Sequence, residues 1–300
     1  MRLPAAFEEF CQFLRVEKEA APRTIMTYRS RFEDFLQFAR TENSALMVSQ
    51  FTATLCRSYQ YALDKRELAP ATVRGRLAML SSFGEWLVLR DRLPRNPIDQ
   101  LTRPRLKDHL PRVPKWSFVE GLVSNGLGLR EKAIVALLSY GGLRRAEVVA
   151  LDVGDFDPEF GLRRVRGKGN RDEAVALPEL ACRPIAEYLE AERPGARPEA
   201  PMFVARYLSR GGKSFVGRMV DGRIYKIIRA IGKRHGAEGL HPHALRHACG
   251  VELLEISGGN LREVQEHLRH RDIQTTTIYT RISKPKLKKT VSLFDRGSRP

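Results

Sequence analysis

The chain has 300 residues, 42% of them hydrophobic, with a formal net charge of +17 and a pI near 10.1. That length suggests one large or two ordinary domains, and the hydrophobic content excludes a disordered chain. The charge excess fits a polyanion, either nucleic acid or an anionic membrane surface.

A membrane partner is not expected. The longest nearly apolar run, Ile134 to Leu143, is well short of the ~20 residues a span requires. The amino terminus, MRLPAAFEEF, has acids where a signal peptide needs an apolar core, which predicts a cytoplasmic protein. Cys11, Cys56, Cys182 and Cys249 form no C-x-x-C pair and sit among apolar neighbours. They read as buried reduced thiols, not as a disulfide framework or a zinc site.

Taken in order, the chain opens with a helix, because Phe7, Phe10, Cys11 and Leu14 recur at i, i+3, i+4 and i+7. After Pro22 a second helix is predicted. Ile25, Tyr28, Phe32, Phe35 and Ala39 lie along one side, and Arg23, Arg29 and Arg31 along the other. A third helix is predicted over Phe51 to Leu63. A fourth opens at Pro70-Ala71-Thr72, with Leu77, Leu80, Gly84, Leu87 and Val88 inward and Arg74 and Arg76 outward. Asn96-Pro97 disfavours helix and closes the segment. Residues 1–100 thus predict an all-helical domain, whose arginines face either a polyanion or plain solvent. Residues 101–115 (LTRPRLKDHLPRVPK) show no usable period and read as a basic linker. Such a linker can follow a phosphate backbone or act as a simple tether.

A second domain, 116–282, begins near Trp116. A helix from Leu129 to Ser139 should stop at Gly141-Gly142. A short helix follows, with Arg144 in its first turn, where free N–H groups favour an anion. Glu147 stands three residues later on the same face and can hold Arg144 in place. Leu162 to Arg166, Gly167-Lys168-Gly169-Asn170 and Glu173 to Leu177 predict a small antiparallel hairpin with Lys168 at its tip. Leu180 to Glu192 and Gly222 to His235 read as helices. Gly195 to Arg218 is rich in Gly, Pro and Arg and reads as a mobile or DNA-facing loop. The fold class is therefore mainly α, with a small antiparallel β element in the second half.

Five of the seven histidines fall between His241 and Tyr279. His241, His243 and His247 form H-x-H-x-x-x-H, a spacing open to metal binding. No carboxylate or cysteine joins them, and the intervening Arg246 would repel a dication. Neither a metal nor another cofactor is expected. A phosphate explains more of the pattern. His243 and Arg246 share a helix face at i, i+3. Arg246 can grip a phosphate with two parallel N–H bonds, and His243 can exchange a proton near neutral pH. Asp272 can cap a short helix through Thr275 to Thr277 that carries Tyr279. A tyrosine so placed can attack phosphorus.

These residues together resemble the tyrosine recombinases of the phage-integrase superfamily, most closely the simple two-domain Xer-like type. The matching pieces are Gly142-Leu143-Arg144-Arg145-Ala146-Glu147, Gly167-Lys168-Gly169-Asn170, His241-Pro242-His243-Ala244-Leu245-Arg246-His247 and Leu268-Arg269-His270, with Thr275-Thr276-Thr277-Ile278-Tyr279-Thr280. Thr24 to Phe38 and Ala71 to Trp86 resemble the family's core-binding domain. The resemblance implies a C-shaped clamp on DNA. It also implies that Arg144 and Arg246 hold the scissile phosphate, Lys168 protonates the leaving 5′-oxygen and His243 is general acid/base toward the tyrosine. His270 would hydrogen-bond the phosphate, Glu147 would orient Arg144, and Tyr279 would form a 3′-phosphotyrosine.

The implied activity is site-specific recombination through a Holliday junction, without metal or ATP. The implied partner is double-stranded DNA with inverted-repeat sites, bound by a homo-tetramer or by a hetero-tetramer with a related recombinase. A supercoil-relaxing enzyme of the type IB topoisomerase kind and a non-catalytic DNA-binding relative are the alternatives. Arg269 stands where the family usually has glycine, Gly141 where threonine is common, and His241 where a small polar residue is usual. The tail, 283–300, either packs into a neighbouring protomer or frays.

Overall fold

The structure is a computed structural model. It describes residues 1–40, 46–105, 111–167, 172–209, 211–269 and 276–282. Lys168, His270, Asp272 and the tail 283–300 lie outside the described residues. The chain divides into two compact units, Met1–Asp108 and His109–Pro300.

The first unit is helical: α1 (Leu3–Val16), α2 (Pro22–Arg40), α3 (Ala53–Lys65) and α4 (Pro70–Leu89). Its core is aromatic. Phe7 stacks on Phe32 at 3.7 Å between centroids, and both meet Phe83 edge-on. The sequence assigns α4 a single inward stripe. In the structure Met79, Phe83 and Trp86 are buried as well as Leu77, Leu80 and Leu87. A helix enclosed by its neighbours is apolar on most sides, so no stripe emerges. Gly84 is required for the closing turn. A Cβ there would lie 2.2 Å from Oδ1 of Asn96, a buried side chain that accepts the Ile98 N–H at 3.2 Å and starts the turn Pro97–Gln100.

Three of the arginines expected to face outward do not. Arg76 forms an ion pair with Asp34, Arg31 donates to the Gly75 carbonyl at 2.7 Å, and Arg74 donates to the Pro104 carbonyl at 3.2 Å. Asp34 also accepts from the Tyr59 hydroxyl at 2.6 Å and from Arg66 at 2.9 Å. Burial opposes the charge of this carboxylate. The Arg66 and Tyr59 hydrogen bonds outweigh burial and hold its pKa below the usual range. Helical period alone cannot distinguish an arginine that points to water from one that crosses to a neighbouring helix.

In the second unit α5 (Trp116–Ser124) precedes α6 (Leu129–Ser139), in which every residue from Ala133 to Ser139 is buried. The long helices α8 (Glu179–Glu192) and α10 (Pro242–Ile256) pack against α6. Between α6 and α8 come α7 (Arg145–Ala150) and a sheet of β1 (Phe156–Asp157), β2 (Gly161–Arg166) and β3 (Asp172–Ala176). The sheet is antiparallel in the order β1-β2-β3. Val175 and Leu177 turn into the core, as the alternation predicts.

The stretch Gly195 to Arg218 is not a loop throughout. It holds a second antiparallel pair, β4 (Val204–Leu208) and β5 (Ser214–Arg218), with Tyr207 opposite Phe215. Leu208, Phe215 and Val216 stay exposed, so the pair shows no clean inward-outward alternation for a sequence reading to find. The remaining helices are α9 (Asp221–Arg234), α11 (Leu261–Leu268) and α12 (Ile278–Ile282). Thr276 and Thr277, expected to be helical, form a turn, and the helix carrying Tyr279 starts at Ile278; Thr275 lies outside the described residues. All four cysteines are free and buried. Among the described residues no helix is long and apolar enough to cross a membrane.

Candidate active site

The site begins where α6 ends. Gly142 has φ +55°, a conformation that favours glycine. A Cβ on it would lie 2.4 Å from Leu268 Cδ2 and 3.3 Å from Cys249 Sγ. The bare backbone therefore lets α10 and the end of α11 approach this turn.

Arg246 on α10 uses that approach. It is 3% exposed and donates to the carbonyls of both Gly142 and Leu268. Burial, reinforced by the nearby Arg144, lowers its pKa to about 10, which still leaves it cationic at neutral pH. Arg144 occupies the N-cap of α7. Glu147 Oε2 accepts its backbone N–H at 2.8 Å, and Oε1 accepts its Nη1 at 2.6 Å. The Nη2 of Arg144 donates to the Arg269 carbonyl at 3.3 Å. Arg246 and Arg144 thus bond to two adjacent carbonyls, those of Leu268 and Arg269 respectively. The Glu147 side chain is 7% exposed, whereas that of Arg144 keeps 41% of its surface open. Burial opposes ionisation of Glu147, but the guanidinium groups of Arg269 and Arg144 hold its pKa below the usual range.

The histidines separate by position. His241 caps α10, its Nδ1 accepting the Ala244 N–H at 3.1 Å. This capping accounts for a histidine where a small polar residue is usual. His267 bonds the Tyr140 carbonyl through Nε2 at 2.7 Å. His243 is exposed on the first turn of α10, one turn before Arg246. His247 lies 3.3 Å (Nδ1) from the Tyr279 hydroxyl.

Tyr279 is 1% exposed, and its ring lies against Gly250, where a Cβ would come 2.4 Å from Cζ. Burial raises its hydroxyl to about 12, so it stays protonated at neutral pH. Arg144 is therefore bonded to Glu147, Arg246 meets it across the adjacent Leu268 and Arg269 carbonyls, Tyr279 packs on α10 one turn past Arg246, and His243 stands on the same helix. Lys168 and His270 fall outside the described residues.

Two contributors were not assigned from sequence. Arg269 turns its side chain inward to Glu147 at 3.1 Å, leaving it 6% exposed. Asp152, 8% exposed at its side chain, accepts from Arg166 of β2 and from Arg218 of β5, joining both hairpins to the end of α7. The only sequence signal for Asp152 is the arginine-rich run Arg163 to Arg166. Among the described residues no three His, Cys, Asp or Glu side chains come together as metal ligands.

Comparison with known proteins shows the family and the fold. Residues 118–286 match the phage integrase family, and residues 7–91 match the phage integrase N-terminal SAM-like domain. The chain is 32% identical over 294 residues to the tyrosine recombinase XerC of Pelotomaculum thermopropionicum, covering 94% of this chain and 95% of that one. It is 30% identical over 293 residues to XerD of Listeria innocua, covering 96% and 97%. Among solved structures, the XerH site-specific recombinase bound to palindromic difH substrate has a TM-score of 0.65 at 20% identity, covering 96% of this chain and 84% of that one. The Tn1549 transposon integrase in complex with transposon right end DNA has a TM-score of 0.64 at 18% identity, covering 96% and 99%. The chain belongs to the phage integrase family of tyrosine recombinases. Its fold is that of the recombinase structures: mostly helical, with small antiparallel sheets.

Proposed function

We propose that the chain is a site-specific DNA recombinase that cuts and rejoins double-stranded DNA through Tyr279. The carrying observation is that Arg144 and Arg246, far apart in sequence, bond to adjacent carbonyls at the end of α11, with Tyr279 packed on the same α10 that carries Arg246. Two guanidinium groups held by backbone and by Glu147 suit the non-bridging oxygens of a phosphodiester. They gain most as charge builds in the transition state.

In this reading the Tyr279 oxygen attacks phosphorus and its proton leaves toward His243. The bond to the 5′-oxygen breaks, and Lys168 protonates that oxygen. His270 hydrogen-bonds the phosphate. The 3′-phosphotyrosine conserves the phosphodiester's energy, so the reverse attack by a 5′-hydroxyl reseals the strand without ATP or metal. Exchange of strands in pairs gives a Holliday junction.

The partner is double-stranded DNA with inverted-repeat sites, bound by four protomers, either all copies of this chain or shared with a related recombinase. The working compartment is the cytoplasm. The net charge of +17 supports strongly salt-dependent DNA binding. The test uses a nicked duplex carrying the sequence that the protein selects from random DNA. Wild type should accumulate a covalent adduct, and Tyr279→Phe should bind the duplex and form none. An adduct in the Phe variant overturns the assignment of Tyr279. Relaxation of any supercoiled plasmid at catalytic ratios favours the topoisomerase reading, and binding without adduct by wild type favours a non-catalytic one.

A further inference from the structure

Among the described residues, Glu19, Glu67, Asp91 and Arg269 are the non-glycine positions with positive φ. The first three are exposed. Arg269, at φ 55° and ψ 47°, closes α11 with its side chain turned inward and only 6% exposed. Glycine would close the helix there without steric cost. The Arg269 Nε is also buried and has no hydrogen-bond partner. Two unfavourable features thus coincide at one position, and the contacts of the guanidinium indicate what offsets them.

Nη2 pairs with Glu147 Oε2 at 3.1 Å and lies 3.5 Å from the Gly142 carbonyl. Nη1 donates to the His267 carbonyl at 2.8 Å and to that of Gly141 at 3.4 Å. The main-chain carbonyl of Arg269 accepts from Arg144. One residue therefore holds the Gly141-Gly142 turn, the end of α11, Glu147 and Arg144 together.

We infer that Arg269 is a positioning residue for the phosphate clamp: it shares the charge of Glu147 with Arg144 and so keeps Arg144 turned toward a substrate phosphate. This inference rests on the recombinase reading above. With Arg269 in place, Oε2 of Glu147 is occupied by the Arg144 N–H and by Arg269, and Oε1 alone receives the Arg144 side chain. Without Arg269 only the Arg144 backbone N–H remains on Oε2, whose second lone pair is then open to the Arg144 guanidinium, so that it can close into a two-bond pair with Glu147. A guanidinium neutralised in that way attracts a phosphate less strongly. Three guanidinium groups against one carboxylate also keep the cluster net cationic, which loss of Arg269 reduces.

The test compares wild type, Arg269→Gly and Arg269→Lys on the nicked duplex that wild type selects from random DNA. Single-turnover adduct formation is measured beside the dissociation constant for the same duplex without the nick. Glycine suits the left-handed backbone, and relief of that strain offsets part of the lost pairing with Glu147, so Arg269→Gly should fold with a thermal midpoint lowered by only a few degrees. It should bind the duplex within about twofold of wild type and form adduct at least about tenfold more slowly, the scale of loss for partners that orient reacting groups. Arg269→Lys should fall between them, and millimolar guanidinium should restore part of the Arg269→Gly rate. Arg269→Gly cleaving at the wild-type rate, or losing cleavage only in step with duplex binding, overturns the inference. No adduct from wild type overturns the recombinase reading instead.

Discussion

Nδ1 of His247 lies 3.3 Å from the hydroxyl oxygen of Tyr279, and both side chains are withdrawn from solvent against α10. Burial first, then the neighbouring His243 and Arg246, lowers His247 to about 4. At neutral pH an uncharged imidazole therefore faces a protonated phenol. The Tyr279 hydroxyl is thus neutral and covered, and under the proposed recombinase mechanism it has to be uncovered before it can reach a phosphate.

The histidines should make the fold acid-sensitive. His241, His243, His247 and His267 all have pKa values lowered from 6.5, each first by loss of hydration; for His243, whose residue surface is otherwise open, this is followed by the nearby Arg246. A lowered pKa means that the folded chain binds fewer protons than the unfolded chain. Stability is then full above about 6.5 and is lost as pH falls toward about 4. The urea midpoint should drop across that window, and His247→Gln should make the drop shallower. A midpoint flat from pH 6.5 to pH 4 contradicts this account.

Gly250 sets the seat of Tyr279. The Cβ of Gly250→Ala would overlap the phenol ring, at 2.4 Å from Cζ. Either the ring leaves or the helix shifts, at a cost of roughly 1–3 kcal/mol. The expected result is a lower thermal midpoint together with greater solvent exposure of Tyr279, read by tyrosine fluorescence quenching against Tyr279→Phe. An unchanged midpoint and unchanged quenching would show that the seat is looser than the packing indicates.

Arg246 holds backbone in place besides its proposed role at the phosphate. Arg246→Ala removes the donor from two enclosed carbonyls, Gly142 and Leu268, at about 1–3 kcal/mol for each group left unpaired. Arg246→Lys keeps the charge, but one ammonium cannot reproduce the planar fork. Chemical denaturation should rank stability as wild type, then Lys, then Ala. Adduct formation should fall severely in both variants. A Lys variant as active as wild type would remove the argument for bidentate geometry.

Asp152 anchors the two hairpins. Burial alone would raise its pKa, but the Arg218 and Arg166 guanidinium groups bring it below the usual carboxylate range. Asp152→Ala leaves two half-exposed arginines without their shared anion and should destabilise the second unit by about 1–3 kcal/mol. Hydrogen exchange should accelerate first in β2 and β5. Exchange that accelerates equally throughout the unit would argue against a local anchor.

Much of this was legible from residue order. The bounds of α6 follow from an apolar run that stops at paired glycines, and the hairpin follows from alternation on either side of a glycine turn. Arg144 with Glu147, and His243 with Arg246, follow from helical spacing. What the sequence hid has a common cause. Arg31, Arg74 and Arg76 read as surface charges, yet their partners are distant carbonyls or carboxylates. The β4–β5 pair carries exposed apolar residues on an unpatterned hairpin.

The sequence by itself determined the family, the helical character of both halves and the residue types suited to a phosphate. These depend on local period and on motifs, which are properties of neighbouring residues. Only the tertiary structure decided that Arg144 and Arg246 meet at the end of α11, that Tyr279 is covered beside His247, and that Arg269 shares Glu147 rather than standing free. Those facts depend on which backbone can approach which. Here a bare Gly142 admits α10 and α11, and a bare Gly250 admits the phenol ring, contacts between segments that no pattern along the chain encodes.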